Sequence, residues 1–348
     1  MQRITGVDVA RGLAVLGMLT AHVGPGGPGS PWPWSLTQVA DGRSAALFVL
    51  LSGVSVALLS GGPVPVTGTR RVQARTKLLV RAFGVLGIGV AVTLLGTPVA
   101  VILPTYAVLF ACAVPLLGAP PRTLLVGAAG VATLGPLLQH TVGHVLDGLP
   151  GREWTALLTG PYYPAVTWFA YVLVGLAVGR TDLRDTRVRL RLLGVGAALA
   201  VTGLGAGALL SRVVDPGGVL AKLVTTEPHS SSPLEVVANT GVGLAVLALC
   251  LLLADATPRL VAPVAATGAL ALTAYTGQLV AIAVLGTSVV WEPDARTWVV
   301  FGVVTVAGCW LWRAAFGRGP LERALHTLAA RASDVAPDEL PPARTPAG

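Results

Sequence analysis

Ten apolar stretches, each near the length of a bilayer crossing, constrain this chain more than any other feature. A helix that spans hydrocarbon needs about 20 predominantly apolar residues. Such stretches run over 6–23, 43–60, 78–95, 99–117, 122–138, 165–180, 190–210, 236–254, 264–286 and 297–315. Only 11% of the residues are charged, less than half of the roughly 25% usual in a soluble domain. The expected fold is all-α: a polytopic integral membrane protein of about ten transmembrane helices. The opening MQR and the apolar run behind it imitate a secretion signal, but no clear small-residue cleavage site follows, so this segment is expected to be retained.

The formal charge of +8 does not point to nucleic acid, because the basic residues sit in short connections between apolar stretches. With the N-terminus inside, nineteen of the 24 Lys and Arg residues fall on the cytoplasmic side and five outside. Positive residues collect on the cytoplasmic side of membrane proteins, so both termini are expected in the cytoplasm of a cell bounded by this plasma membrane. The three long outer connections are then 24–42, 139–164 and 211–235. Cys112, Cys250 and Cys309 all lie in apolar stretches with no paired spacing, which argues against a disulfide framework or structural zinc.

The first stretch, GVDVARGLAVLGMLTAHV, carries three ionisable groups: Asp8, Arg11 and His22. On a helix these fall within about 60° of one another, and Val15 and Met18 fill the same stripe. Arg11 and His22 stand roughly 16 Å apart along the axis. Ionisable groups in hydrocarbon are costly and normally face a protein interior or a water-filled cavity, so the stripe is expected to line a polar channel through the bundle. His22 has the chemistry of a general base, or it is a helix-end histidine bonded to a loop carbonyl. Arg11 either pairs with Asp8 at i, i+3 or offers its fork to a phosphate or carbonyl. Both roles are compatible.

The second stretch opens with Asp41 and Arg43, at about the level of His22, where Asp41 is able to orient the imidazole. Ser52, Gly53 and Ser55 suit close helix packing. In the outer connections, His229 lies among Ser230 to Ser232 between Glu227 and Glu235, placed to touch a polar acceptor or simply solvated. Trp168, next to last in the run GPYYPAVTWF, is a second candidate for acceptor contact, with Arg43 a third. His140 and His144 are at i, i+4 with Asp147 near, a spacing that binds metal, yet Gly143 and Gly148 suggest a loop and no further ligand pair supports a metal site. His326 reads as a surface residue of the C-terminal segment.

The run VDVARGLAVLGMLTAH resembles the first helix of the transmembrane acyltransferase superfamily, including the Arg-x10-His spacing of its acyltransferase type 3 members, here Arg11 and His22. ADGRSAALFVLLSGVSVAL is similar to heparan-alpha-glucosaminide N-acetyltransferase catalytic domains. GPYYPAVTWFAYVLVGLAVGR, EPHSSSPLEVVANTGVGLAV, GALALTAYTGQ and GRGPLERAL look like bacterial YeiB-type membrane proteins. The resemblance covers most of residues 3–330. It divides the chain into an acyltransferase-like region at 1–210, a YeiB-type membrane region at 211–330 and a disordered cytoplasmic tail at 331–348.

What the resemblance implies is transfer of an acyl group, typically acetyl, from cytoplasmic acyl-CoA to a hydroxyl or amine beyond the membrane, on a glycan or small molecule. The family's arginine and histidine carry over to Arg11, for the acyl-CoA, and His22, as the catalytic base. The reading of the residues themselves adds Asp41 to the catalytic set, Asp8 to the acyl-CoA site and Arg43, His229 and Trp168 to the acceptor site, with no metal. One departure stands out: the eukaryotic acetyltransferases have a further histidine in the first outer loop, and residues 24–42 contain none. A homodimer is a further expectation. The competing reading is a transporter or exporter that uses Asp8, Arg11 and His22 as a substrate or proton path.

Overall fold

The computed structural model describes residues 3–27, 29–146 and 155–334. Every regular element among them is helical. In chain order the helices are α1 (Thr5–Val23), α2 (Arg43–Leu59), α3 (Gly68–Thr93), α4 (Leu103–Ala113), α5 (Pro121–Leu146), α6 (Thr155–Thr159), α7 (Ala165–Val178), α8 (Thr186–Leu210), α9 (Val219–Val224), α10 (Pro233–Ala256), α11 (Pro258–Ala269), α12 (Ala271–Leu285), α13 (Ser288–Trp291), α14 (Ala295–Phe316) and α15 (Pro320–Ala332). Each of the ten apolar stretches holds a helix. Seven helices are long and apolar enough to cross a membrane, or eight if the bent pair α11–α12 is one span, while α4 and α7 lie in shorter apolar segments. The protein is a multi-pass membrane protein.

The expected span 264–286 is broken. α11 and α12 meet at Leu270 with a bend of 71°, and Ala271 and Leu272 at the start of α12 line a cavity. α3 begins at Gly68, ten residues before the apolar stretch, because the basic run Arg70 to Lys77 continues as helix. The segment before α2 is also ordered: residues Trp34–Ala40 form a 3-10 helix.

α1, α2 and α10 are the most buried spans, whereas α8 and α14 turn most of their surface outward. In a bilayer an outward apolar surface meets lipid, so the exposed valines and leucines of α14 need no protein partner. α1 lies against α11, α2 against α7, and α8 against α10. The α1–α11 contact depends on two glycines: a Cβ on Gly12 would stand 2.1 Å from the Val264 carbonyl oxygen, and one on Gly268 only 1.8 Å from that of Asp8. Gly53 does the same for α2, where a Cβ would meet the Val172 carbonyl of α7 at 2.2 Å. Small residues let backbones approach in this way, as the Ser52–Gly53–Ser55 pattern suggested.

Candidate functional site

The α1 stripe faces protein. Asp8 is 3% exposed and accepts from Arg3 and from Arg11, whose Nη1 is 2.8 Å from Asp8 Oδ1. The other terminal nitrogen of Arg11 donates to Ser55 Oγ of α2 at 2.8 Å. A carboxylate and a hydroxyl thus fix the guanidinium, and Arg11 is both ion-paired and open to a cavity. Val15 and Met18 are buried.

Arg11 lines a cavity of about 270 Å³ together with Phe48, Ser52 and Ser55 of α2, Arg81 of α3, Tyr106 of α4, Leu272 of α12, and Glu322 and His326 of α15. Glu322 is committed elsewhere: it accepts from the backbone N–H groups of Leu272 at 2.8 Å and Thr273 at 3.0 Å, satisfying the free donors of α12. This bond ties α15 across the mouth of the cavity. His326 is exposed, as a surface residue was expected to be, and it also lines this cavity. Burial, then the positive charges of Arg318, Arg81 and Lys77, lower its pKa below the ordinary histidine value, the signature of an electropositive surface. On the other side of Arg11 a cleft of about 320 Å³ is lined by Arg3, Asp8, Asp182 and Arg184.

At the opposite end of α1, His22 lines a second cavity, of about 200 Å³, with Met18, Asp41, Ala45, Val99, Tyr162, Tyr163 and His229. Asp41 was expected to orient His22, but it pairs with His229: its Oδ1 is 3.2 Å from His229 Nε2, while His229 Nδ1 is 3.3 Å from the Tyr162 carbonyl oxygen. His22 is held by α12 instead, with Gln278 Nε2 2.5 Å from His22 Nδ1. Residues 24–42 contain no histidine, and the second imidazole of this cavity, His229, comes from far along the chain.

The His229 loop is built by Glu235. Ser232 Oγ accepts from the Glu235 N–H at 3.0 Å, the Ser-x-x-Glu capping arrangement that starts α10. The Glu235 carboxylate accepts from the His229 N–H at 3.0 Å, the Ser231 N–H at 2.5 Å and Ser230 Oγ at 3.0 Å. These bonds hold His229 and Ser231 at φ of 63° and 53°, a conformation that costs about 1–3 kcal/mol where nothing over-determines it. Burial alone would lower the His229 pKa. The hydrogen bond and charge of Asp41, the Tyr162 carbonyl and Glu235 outweigh it, and the imidazole titrates above its ordinary value. Burial also raises the Tyr163 phenol, which stays protonated as a donor.

The two cavities are stacked along the same elements. On α1, Arg11 belongs to one and Met18 and His22 to the other. On α2, Phe48 and Ala45 divide between them, three residues or about 4.5 Å along the axis. Leading into α4, Ala100 and Leu103 divide in the same way. The expected continuous polar channel is thus interrupted. Apolar Val15 stands between the two levels on α1, and the Phe48 and Tyr106 rings pack with centroids 5.5 Å apart.

The other candidates fall in different places. Arg43 begins α2 beside Asp41 yet lines neither cavity. Trp168 is 2% exposed; its Nε1 donates to Ser231 Oγ at 3.2 Å and its ring stacks on His229 at 6.4 Å and 11°, so it backs the cavity wall. His140 and His144 lie on α5, which continues to Leu146 where a loop was expected; Asp147 is outside the described residues. Among the described residues no three His, Cys, Asp or Glu side chains gather as a metal site. Gln278 and Tyr106 were not singled out in the sequence; Arg81 counted there only among the basic residues and Glu235 only as a flank of His229. A glutamine inside an apolar stretch, three residues after Tyr275, was the available signal for the first.

Stacked cavities, one lined by arginines and one by histidines and a carboxylate, in an all-helical multi-pass bundle define a membrane protein with a site at each end of one helix. The family described as heparan-alpha-glucosaminide N-acetyltransferase, catalytic, matches residues 3–210, more than half of the chain, and the chain belongs to it. A second family, described as a protein of unknown function (DUF418), matches residues 180–332. No curated protein matches the chain. Arg11, His22 and Asp41 lie in the first matched stretch and His229, Gln278 and Glu322 in the second, so the site draws on both. The matches give no support to a homodimer.

Proposed function

We propose that this chain is an integral membrane acyltransferase that moves an acyl group, acetyl by its family, from cytoplasmic acyl-CoA to a hydroxyl or amine on the far side of the membrane, carried by a sugar or glycan. The observation behind this reading is the stacking of an arginine-lined cavity and a two-histidine cavity along the same helices, with a partition one turn thick on α2. The excess of Arg and Lys beside the Arg11 end supports placing that end, and both termini, in the cytoplasm.

Arg11 and Arg81 face the donor's phosphates, with Asp8 and Ser55 holding the Arg11 fork in place. The acyl end of the donor passes Phe48 and Tyr106 toward His22. There His22 takes the proton from the acceptor O–H or N–H as that atom bonds to the thioester carbon. The C–S bond breaks, and the departing sulfur receives the proton from His22. Tyr162, Tyr163 and the His229–Asp41 pair supply ring edges and hydrogen bonds suited to a sugar. The region at 1–210 carries Arg11 and His22, and the region at 211–330 completes both cavities.

The bend between α11 and α12 favours a second reading. A discontinuous helix whose free end faces a cavity also serves transporters, and the Asp8–Arg11–His22 stripe would then be an export path. Calorimetry on protein in lipid nanodiscs separates the two. The acyltransferase binds acetyl-CoA, and its Arg11→Ala variant does not at the same concentration. Absence of any acyl-CoA interaction, with substrate efflux from proteoliposomes, would establish the exporter.

A further inference from the structure

Gln278 is 3% exposed, lies on α12, and touches the His22 imidazole across the bundle, 256 residues away in sequence. We propose that Gln278 is the positioning residue of His22, and that its side-chain carbonyl, placed on Nδ1–H, fixes the tautomer whose Nε2 lone pair faces the cavity. This proposal rests on the reading of His22 as a general base.

Two observations carry it. First, the His22–Gln278 contact is made through Nδ1, which leaves Nε2 as the ring nitrogen for the cavity that His22 lines. Secondly, with the amide nitrogen turned to the ring, Gln278 Oε1 is buried with no partner among the described residues. A buried, unsatisfied carbonyl costs about as much as a lost hydrogen bond. A half-turn of the amide, which exchanges two groups of nearly equal size, puts that oxygen on the ring.

The chemistry requires the turned form. With the amide NH₂ donating to Nδ1, the neutral ring carries its proton on Nε2 and offers the cavity a donor. On taking a further proton it would press Nδ1–H against the amide hydrogens. With Oε1 on Nδ1–H, Nε2 is free to accept, and the imidazolium formed keeps its hydrogen bond. The Asp–His pairing of hydrolases works in the same way, through an acceptor that holds the ring in one tautomer. Here the acceptor is neutral, which suits a group buried in a membrane, where a second charge would need a partner.

The test has two arms. In the first, the protein is labelled with ¹⁵N-histidine, placed in lipid nanodiscs and examined by NMR, with the His22 signals identified by their loss in His22→Gln. Protonated Nδ1 and unprotonated Nε2 in wild type, lost or mixed in Gln278→Leu, support the proposal; protonated Nε2 in wild type overturns it. In the second arm, acetyl-CoA hydrolysis is followed over pH for Gln278→Leu and Gln278→Glu. The leucine variant is expected to lose roughly 10- to 100-fold in kcat with KM for acetyl-CoA unchanged. The glutamate variant keeps an acceptor, retains turnover, and moves the acid limb of its profile to higher pH, because a carboxylate stabilises the imidazolium. Equal loss in both variants with no shift of the limb overturns the proposal. A wild type with no turnover refutes the acyltransferase reading, while the NMR arm still decides the role of Gln278.

Discussion

Asp41 and His229 pair beside the His22 cavity, with Oδ1 and Nε2 3.2 Å apart, although Asp41 and His22 line the same cavity. The pair joins the start of α2 to the loop before α10 and gives the two imidazoles separate supports: a carboxylate for one, an amide for the other. Their division of labour follows. On the acyltransferase reading, His229, drawn toward its charged form and bonded to Asp41 and the Tyr162 carbonyl, shapes the cavity, while His22 accepts the proton.

This pairing has a pH dependence of known sign. The folded His229 pKa lies above its ordinary value of about 6.5. The stabilisation from charged His229 beside Asp41 is thus fully present below pH 6.5 and fades as pH rises through the raised folded value. Asp41→Asn removes the carboxylate. The variant is expected to be less stable than wild type at pH 6 and to approach it at pH 9, as thermal unfolding in detergent at the two pH values will show. A constant difference would mean that His229 is neutral throughout.

Arg11 makes two hydrogen bonds inside the protein and also lines a cavity. Arg11→Lys keeps a charge but not the planar fork that reaches Asp8 and Ser55 together. Loss of a charge-assisted hydrogen bond is worth about 1.5–3 kcal/mol, so Arg11→Ala should weaken acetyl-CoA binding by roughly 10- to 100-fold, with lysine between. His22→Gln should bind the donor like wild type and lose roughly 10²- to 10⁴-fold in turnover. Calorimetry and a thiol-release assay on the three variants check the separation of binding from chemistry.

Arg180, read from sequence only as one more cytoplasmic-side charge, is 5% exposed. It donates to the carbonyls of Ala57, Gly62 and Leu117 and to Ser60 Oγ, the Gly62 and Ser60 bonds at 2.8 Å. One guanidinium thus gathers the α2–α3 turn and the end of α4 beneath α7. Arg180→Met fills the space and leaves buried acceptors unsatisfied, at about 1–3 kcal/mol for each one left dry. A fall in thermal stability with unchanged acetyl-CoA affinity in the surviving folded fraction is the expected outcome.

Much of this architecture was legible because hydrocarbon imposes so few solutions. Ten apolar stretches located ten helices, and the spacing of Asp8, Arg11 and His22 put them on one protein-facing stripe. The break at Leu270 was not legible, since Ala, Leu and Thr continue through it without a proline at the bend. Nor was the partnership of His22 with Gln278 or Asp41 with His229: each joins segments more than 180 residues apart, and a single sequence has no signal for such pairs. Asp41 was assigned to the nearer histidine because nearness along the chain was the only distance available.

The partition between the cavities makes the last prediction. If the acyl group reaches His22 from the Arg11 side, the obstacle is Phe48, packed on Tyr106 and one turn from Ala45. Phe48→Ala removes the ring at a partly exposed position, so its stability cost should fall below the roughly 3–5 kcal/mol of a fully buried aromatic. A cysteine at Met18, with exposed Cys112 replaced by serine, reports access to the His22 cavity. In inside-out vesicles a small charged thiol reagent should leave Met18→Cys unmodified behind an intact Phe48 and modify it in the Phe48→Ala background. The same variant should hydrolyse acetyl-CoA faster than wild type, because a wider passage brings the thioester to the base more often without an acceptor. Labelling that is unchanged by Phe48→Ala would move the donor's route away from the α1–α2–α4 axis.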